Sequence, residues 1–222
     1  MTSARDDILR ALRTALNTQA PFPADETPTG LPVTRLEPSE DLVARFAAEV
    51  ERVKGQVHRA ENAIKALDFV RDLLVAHRVQ RVVMWDEAHL PLRGLPALLS
   101  ALDIAHVHGS SAAIAEAEAG ITGADWALAA TGTLVLSSGP GRPRMASLLP
   151  PLHIALLTED RILPRLEDYL AAQRATRYSV FRYSSNVTLI TGSSRTSDIE
   201  MHPVFGVHGP LELHIVLIKN PV

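Results

Sequence analysis

Apolar residues recur every three or four positions in three segments of the N-terminal third of the chain. These segments are residues 3–17, 40–58 and 61–78, and in each the apolar side chains share one face. This spacing is typical of amphipathic helices packed on a core. Between the first two segments, residues 20–38 are rich in proline, which favours an extended connection. The pattern therefore predicts a helix and a strap that precede the main body of the protein.

Short apolar runs alternate with further helical segments in the rest of the chain. We predict helices at 92–102, 112–120 and 161–174, and strands at 81–86, 104–109, 132–138, 153–157, 186–191 and 211–218. Such alternation is typical of α/β folds whose parallel strands are joined by right-handed crossovers. Because helical segments become sparse after residue 174, we expect some of the later strands to pair antiparallel. The sequence thus predicts a mixed, mainly parallel sheet with flanking helices.

This pattern divides the chain into two parts. Residues 1–38 form the predicted N-terminal helical arm with its proline-rich strap, and residues 39–222 form one α/β domain. A length of 222 residues fits one domain of generous size together with an arm. The arm would dock on its own domain, bind a partner, or exchange between copies to give a homo-oligomer.

Composition excludes several classes of protein. The net charge of −3 comes from interspersed acids and bases, which argues against a nucleic-acid partner. The chain has no cysteine, so it forms no disulfide, no cysteine zinc site and no cysteine-ligated iron–sulfur cluster by itself. No apolar run is long enough for a membrane span, and the acidic N-terminus is unlike a signal peptide. We therefore expect a cytoplasmic protein that binds no cofactor of its own.

Hydroxyl and guanidinium groups concentrate in two loops of the C-terminal half, where they are suited to bind an anion. Thr131, Gly132 and Thr133 form a turn into a predicted strand, and such a turn offers hydroxyls and backbone N–H groups to phosphate or carboxylate. Arg144 lies with Arg142 on a loop rich in glycine and proline, and guanidinium groups match the same anions. The alternatives are hydroxyls that satisfy their own backbone and arginines that are merely solvated.

A third candidate lies in residues 190–200, where an apolar run gives way to small hydroxyl residues. Ser197 and Glu200 match the capping pattern S-x-x-E, which predicts that a short helix begins at Ser197. The N-terminus of that helix would offer free N–H groups to an anion. Around it stand Ser194, Arg195, Thr196 and Asp198. Capping and pairing of the acids with the arginine would also explain this composition without a ligand.

Histidines supply the last candidates. His208 lies between two glycines and is a candidate acid–base group or anion contact. His106 and His108 form a strand pair, and Asp198, Glu200, His202 and His208 are ligand types for metals, but neither set has the spacing of a metal motif. We therefore expect no metal site. The chain also lacks the phosphate-binding loop, the dinucleotide fingerprint, the H-E-x-x-H motif and the G-x-S-x-G motif.

Taken in order, four segments resemble the LUD-domain family, in particular the lactate utilization protein C group. They are GITGADWALAATGTLVL, SLLPPLHIALL, SRTSDIE and GVHGPLELHIVLI. The resemblance implies a fold related to the NagB/RpiA/CoA-transferase group. It also implies a subunit of an iron–sulfur-containing system that oxidises L-lactate to pyruvate and binds a small anionic ligand. Because this chain has no cysteine, the iron–sulfur clusters would lie on partner subunits.

Two positions depart from the family pattern. The family usually has an acid before Thr-Gly-Thr, where this chain has Ala130, and often has Gly-Pro-Ser where this chain has Gly192, Ser193 and Ser194. The first change leaves open whether the chain is catalytic on its own. One alternative function is a free-standing enzyme that acts on a phosphorylated or CoA-linked carboxylate, as in the implied fold relatives. Another is a regulatory or scaffolding protein with a vestigial pocket.

Overall fold

A computed structural model describes residues 4–18, 34, 36–37, 39–109, 111–197 and 203–219. The chain forms two compact units, residues 1–33 and residues 34–222. In the first unit, helix α1 (Ala4–Thr18) confirms the amphipathic helix expected at 3–17. Asp6 and Asp7 stand in its first turn, where negative charge interacts favourably with the helix dipole. The strap lies mainly outside the described residues, and the domain boundary at residue 38 stays a prediction.

The second unit alternates helices and strands. Its helices are α2 (Leu42–Arg52), α3 (Ala63–Ala76), α4 (Leu95–Ala101), α5 (Ser111–Ala115), α6 (Leu166–Ala175) and α7 (Ser179–Tyr183). Its strands are β1 (Gln56–Ala60), β2 (Arg81–Met84), β3 (Ala105–His106), β4 (Ala119–Gly123), β5 (Trp126–Leu128), β6 (Thr133–Ser138), β7 (Leu152–Thr158), β8 (Ile162–Leu163), β9 (Asn186–Thr191), β10 (Arg195–Ser197), β11 (Pro203–Phe205) and β12 (Glu212–Ile218). Short 3₁₀ turns occur at Glu87–His89, Arg144–Ser147 and Glu159–Arg161.

Six strands form a parallel sheet in the order β1-β12-β7-β4-β2-β3. A second sheet has the order β8-β5-β6-β9, in which β6 pairs antiparallel with β5 and β9 while β5 pairs parallel with β8. Strands β10 and β11 form a separate antiparallel hairpin. The predicted mixed, mainly parallel α/β fold is therefore confirmed. The antiparallel pairing expected for late strands holds for β9 but not for β12, which lies inside the parallel sheet.

The core lies around β7 and β12, two neighbouring strands inside the parallel sheet. All seven residues of β7 are buried, as are six of the seven in β12. Helix α3 packs on β1 and β12, and α2 packs on β1 and β8. Strands covered on both faces carry continuous apolar runs rather than an alternating pattern. This is why runs such as residues 153–157 identified the buried strands correctly.

The segment 40–58 is a helix followed by a strand, so the single helix predicted there is wrong. Helix α2 ends at Arg52, Lys54 has a left-handed φ of 68°, and β1 begins at Gln56. Val57, an apolar residue of the predicted helical segment 40–58, pairs with Ile215 of β12. Valine suits both a helical stripe and a buried strand, so the apolar periodicity alone extended the helix too far.

Strand β4 replaces the end of the helix predicted at 112–120. Helix α5 stops at Ala115, and Ala119–Gly123 form a fully buried strand between β2 and β7. A side chain at Gly120 would overlap the carbonyl of Ala146, so this glycine permits close packing and does not end a helix. Strand β5 was also missed, because three residues are too few to give a periodic signal.

Candidate functional site at the carboxyl edge of the parallel sheet

A cavity of about 630 Å³ lies where three neighbouring parallel strands end. Residues 88–91 follow β2, residues 124–126 follow β4, and residues 158, 160 and 161 end or follow β7. Arg142, on the loop after β6, forms part of the remaining walls. The other wall residues include Ser137 of β6, Tyr169 and Gln173, which both belong to α6, and Tyr183 of α7. In open α/β sheets, ligands bind outside the carboxyl ends of the strands. The topology therefore places this cavity where such folds hold their ligands.

Asp125 and Arg142 form an ion pair in the wall of the cavity. Oδ1 of Asp125 accepts a hydrogen bond from Nη1 of Arg142 at 3.0 Å, and Oδ2 accepts one from the Ser137 N–H at 2.6 Å. Nη1 of Arg142 also donates to Oγ of Ser137 at 2.9 Å. Both charged side chains are about 30% exposed, at 27% for Asp125 and 30% for Arg142. The carboxylate thus fixes one nitrogen of a guanidinium that still reaches solvent.

The loop that carries Arg142 is shaped by two close contacts. Gly139 and Arg142 form an isolated antiparallel bridge, and the N–H of Asp86 donates to the carbonyl of Gly141 at 2.8 Å. Gly141 has a φ of +71°, and a Cβ there would lie 2.5 Å from Oδ2 of Asp86. Only glycine therefore lets this loop close over Asp86. The closed loop places the Arg142 guanidinium 5.6 Å from the centre of the Trp85 ring.

A second guanidinium lies in the cavity wall. Arg161 follows β7 and lies 5.1 Å from the centre of the Trp126 ring. Its side chain is 50% exposed, and its Nε is 3.6 Å from a carboxylate oxygen of Asp160. An exposed ion pair of this length contributes little energy, so the aromatic face orients Arg161 more than the carboxylate does. The cavity therefore has two guanidinium groups, each held on a tryptophan.

Tyr169 adds a neutral donor. Burial, followed by the negative charge of Asp125, raises the pKa of the Tyr169 hydroxyl above its ordinary value. The phenol consequently stays protonated at physiological pH and is able to donate a hydrogen bond. Together, the guanidinium groups and the phenol supply donors for a carboxylate or phosphate oxygen.

The comparisons with known proteins agree with this architecture. The sequence model of the LUD domain matches residues 43–218. The chain belongs to the LUD-domain family. A lactate utilization protein C from Halalkalibacterium halodurans is 31% identical over 181 residues, which are 79% of this chain and 75% of that protein. Another from a Geobacillus species is 29% identical over 193 residues, 82% of this chain and 79% of that protein.

A solved structure shares the fold of this LUD domain. The crystal structure of a DUF162 family protein from Deinococcus radiodurans aligns with a TM-score of 0.59 over 80% of this chain and 96% of that one. The two sequences are 21% identical, so this likeness concerns the fold alone. Within the described part of the LUD-domain chain, no helix is long and apolar enough to cross a bilayer.

The predicted Thr131-Gly132-Thr133 turn is part of a hydroxyl chain at one end of the second sheet. Oγ1 of Thr133 is 2.7 Å from Oγ1 of Thr131 and 2.8 Å from Oγ1 of Thr191 on β9. Gly132 has a φ of +62°, and a Cβ there would lie 2.6 Å from the backbone nitrogen of Val50 in α2. These contacts explain the turn by packing and mutual hydrogen bonding. Its role as an anion site stays a prediction.

Ser194 and the loop of His208, two candidates from the sequence, are neighbours in the structure. The N–H of Ser194 donates to the carbonyl of Pro210 at 2.9 Å, and the N–H of Gly206 donates to the carbonyl of Ser194 at 3.0 Å. A Cβ at Gly209 would lie 3.1 Å from Cβ of Ser194. His208 itself is exposed. This group adjoins the amino end of β12, whereas the cavity lies at the carboxyl ends of the strands.

The short helix predicted to begin at Ser197 falls mainly on residues 198–202, which lie outside the described residues. Residues Arg195–Ser197 form β10 and pair antiparallel with Pro203–Phe205, so Ser197 lies opposite Pro203 in a hairpin. Arg195 and Thr196 are exposed, and their role in an anion site stays a prediction. Asp198 and Glu200 lie outside the described residues.

Arg144 is also exposed, two residues beyond the arginine that reaches the cavity. From the sequence we selected Arg144 and missed Asp125, Arg161 and Tyr169. Asp125 follows Gly123 at the end of β4, a position that would have marked it had that strand been recognised. Arg161 and Tyr169 carry no local signal, because only the tertiary fold brings them to the cavity.

Proposed function

We propose that this LUD domain is a component of a system that oxidises L-lactate to pyruvate, and that its cavity binds the carboxylate of a small anionic ligand. The names of its relatives support the role in lactate utilization. The observation that carries the ligand proposal is the position of Arg142, between Asp125 and Trp85 at the carboxyl edge of the sheet.

The geometry of Arg142 suits carboxylate recognition. Its hydrogen bonds to Asp125 and Ser137 both use Nη1, and a guanidinium has five N–H donors in all. The remaining donors are available for the parallel hydrogen bonds that a carboxylate accepts. Arg161 supplies a second positive charge in the cavity wall, and Tyr169 supplies a neutral donor for a hydroxyl or carbonyl oxygen of the ligand.

In this proposal, the clusters that accept electrons from lactate are bound by other proteins. Oxidation of L-lactate to pyruvate releases two electrons and two protons, and the cysteine-free chain holds no cysteine-ligated cluster to accept those electrons. We therefore propose that iron–sulfur subunits bind this domain in the cytoplasm and accept the electrons. Co-purification from the native host tests this step. Recovery of a cysteine-rich iron–sulfur protein supports it, and recovery of the domain without such a protein contradicts it.

A second candidate function rests on the size of the cavity. A three-carbon hydroxy acid would fill only part of about 630 Å³, a volume within the range of sites that hold much larger ligands. A free-standing enzyme for a phosphorylated or CoA-linked carboxylate would use the same guanidinium groups. Thermal-shift measurements with L-lactate, pyruvate, CoA esters and phosphorylated acids distinguish the two. Stabilisation by the larger ligands alone would favour this second function.

Growth on L-lactate tests the first function in the cell. A strain that lacks this protein is complemented with wild type, with Arg142→Gln, or with Arg144→Gln. We expect wild type and Arg144→Gln to restore growth and Arg142→Gln to fail, with equal protein levels confirmed by immunoblot. If Arg142→Gln restores growth as well as wild type does, the cavity has no part in lactate oxidation.

A further inference from the structure

Three histidines and a glutamate cluster at the amino end of β12. Glu212 and His214 are the first and third residues of that strand, so their side chains point to the same face. His77 is the C-cap residue of α3, and α3 packs on β12. His58 lies on the neighbouring strand β1. None of these residues is needed to explain the cavity.

Two of the three separations between ligand atoms in this cluster are close to those of a metal site. Oε2 of Glu212 is 3.2 Å from Nε2 of His77 and 3.2 Å from Nε2 of His214. One ligand atom from each of these residues lies within 4.8 Å of the others. Nitrogen and oxygen ligands bound tetrahedrally to zinc lie about 3.3–3.6 Å apart, given metal–ligand bonds of about 2.0–2.2 Å. A small shift of two exposed side chains would therefore complete the geometry.

The hydrogen bonds of His77 are compatible with the tautomer that ligates a metal. Nδ1 of His77 is 2.9 Å from the carbonyl oxygen of Leu73. Because a carbonyl oxygen only accepts, Nδ1 must carry the hydrogen. In neutral His77, Nε2 then presents a lone pair to Oε2 of Glu212, and two acceptors face each other. Either a second proton on His77 or a metal ion between the two acceptors removes this conflict, and the hydrogen bond from Nδ1 to a backbone carbonyl is the usual second contact of a ligating histidine.

His214 has the same arrangement in one of its two neutral tautomers. Its Nε2 faces Glu212, and its Nδ1 is 2.9 Å from Nε2 of His58, with the two rings stacked at 5.2 Å. When Nδ1 of His214 donates to His58, Nε2 of His214 is left with a lone pair directed at the same point as the lone pair of His77. His214 is buried, while Glu212 and His77 are partly exposed. The site would thus be anchored by β12 and open to solvent on one side.

We propose that His77, Glu212 and His214 bind a divalent transition metal, with Zn²⁺ as the best match to two imidazoles and one carboxylate. His58 positions His214 through its hydrogen bond, and Leu73 positions His77. Three protein ligands leave a coordination position for water or for an external group. This site is separate from the cavity, so the metal proposal can be tested independently of the proposed function.

Calorimetric titration of the full chain with Zn²⁺ tests the site. We expect saturable binding of one ion by wild type, and affinity lower by roughly tenfold or more in His77→Gln and Glu212→Gln. Both substituted side chains are partly exposed, so folding is expected to survive. His108→Gln is the matched control, because the rings of His106 and His108 lie 3.7 Å apart and form a rival chelating pair.

Co²⁺ absorption gives a second readout. Intense visible bands of tetrahedral cobalt are expected in wild type and in His108→Gln, and not in His77→Gln. If wild type shows no saturable Zn²⁺ binding, Glu212 pairs with a protonated His77 and the metal proposal is wrong. If His77→Gln and Glu212→Gln bind Zn²⁺ like wild type, or if only His108→Gln loses binding, the metal lies elsewhere and the proposal is equally overturned.

Discussion

Asp125 holds the guanidinium of Arg142 through a 3.0 Å hydrogen bond, and the same carboxylate accepts the backbone N–H of Ser137 at 2.6 Å. One side chain thus joins the end of β4 to strand β6 and to the loop that carries Arg142. The partners are 12 and 17 residues away in sequence, so this contact fixes the cavity wall only in the folded domain.

Replacement of Asp125 by asparagine should weaken both the fold and the ligand site. The amide nitrogen of asparagine would face a hydrogen-bond donor, so we expect a loss of about 1–3 kcal/mol in the free energy of unfolding. Urea denaturation measures this change. Asp160→Asn is the control, since its exposed contact with Arg161 is worth at most about 1 kcal/mol. Equal stability of Asp125→Asn and wild type would contradict the role given to this carboxylate.

Gly141 should tolerate no side chain. Its φ of +71° and the predicted overlap with Asp86 mean that Gly141→Ala must displace the loop, at a cost of about 1–3 kcal/mol. Gly139→Ala is a matched control on the same loop, because a Cβ there meets nothing within 4 Å. We expect the control to stay within about 0.5 kcal/mol of wild type in urea denaturation. Similar losses in both variants would show that the contact with Asp86 does not determine the loop.

The hydroxyl chain of Thr131, Thr133 and Thr191 should prove structural. Thr133 is buried and its hydroxyl contacts both of the others, so Thr133→Val should cost about 1 kcal/mol of stability. Exposed Thr196→Val, the control, should change stability by less than about 0.5 kcal/mol. Ligand affinity in the cavity should be unchanged in both variants. A large loss of affinity in Thr133→Val, with stability unchanged, would instead favour the anion site that the sequence predicted at this turn.

His153 should make the domain less stable in mild acid. Burial lowers the pKa of His153 from 6.5 to about 4. Between these two pH values, the unfolded chain binds a proton at His153 that the folded chain does not bind. The free energy of unfolding therefore has its full value, as far as His153 is concerned, above pH 6.5. It falls by ~3 kcal/mol as the pH drops toward 4. Comparing urea denaturation at pH 7.5 with pH 5 measures the slope. His153→Gln removes this titration, so its stability should depend less on pH; an identical slope would contradict the account.

The fold was largely predictable because its elements carry local signals. Buried strands such as β7 are continuous apolar runs, and α3 shows a regular helical stripe. The errors occurred where a residue type is common in two kinds of local structure. Val57 fits a helix and a strand equally well, and Gly120 resembles a helix end but allows close contact with Ala146.

The site was less predictable because its residues meet only through the tertiary fold. The choice between Arg142 and Arg144 depends on Asp125 and Trp85, which are remote in sequence and invisible to a local pattern. The pairing of Ser197 with Pro203 was likewise not predictable from the local sequence. The residue types of the loops indicated anion binding, and the fold determines which of those residues reach the cavity.

Calorimetric titration of the purified domain with pyruvate and with L-lactate is the most direct test of the proposed carboxylate site. Wild type, Arg142→Lys and Arg144→Gln are compared. Lysine keeps the charge but loses the two-pronged donor geometry, so we expect affinity to fall by about tenfold or more in Arg142→Lys and to be unchanged in Arg144→Gln. Equal binding by wild type and Arg142→Lys, or loss of binding in Arg144→Gln alone, would contradict the assignment of the cavity as the ligand site.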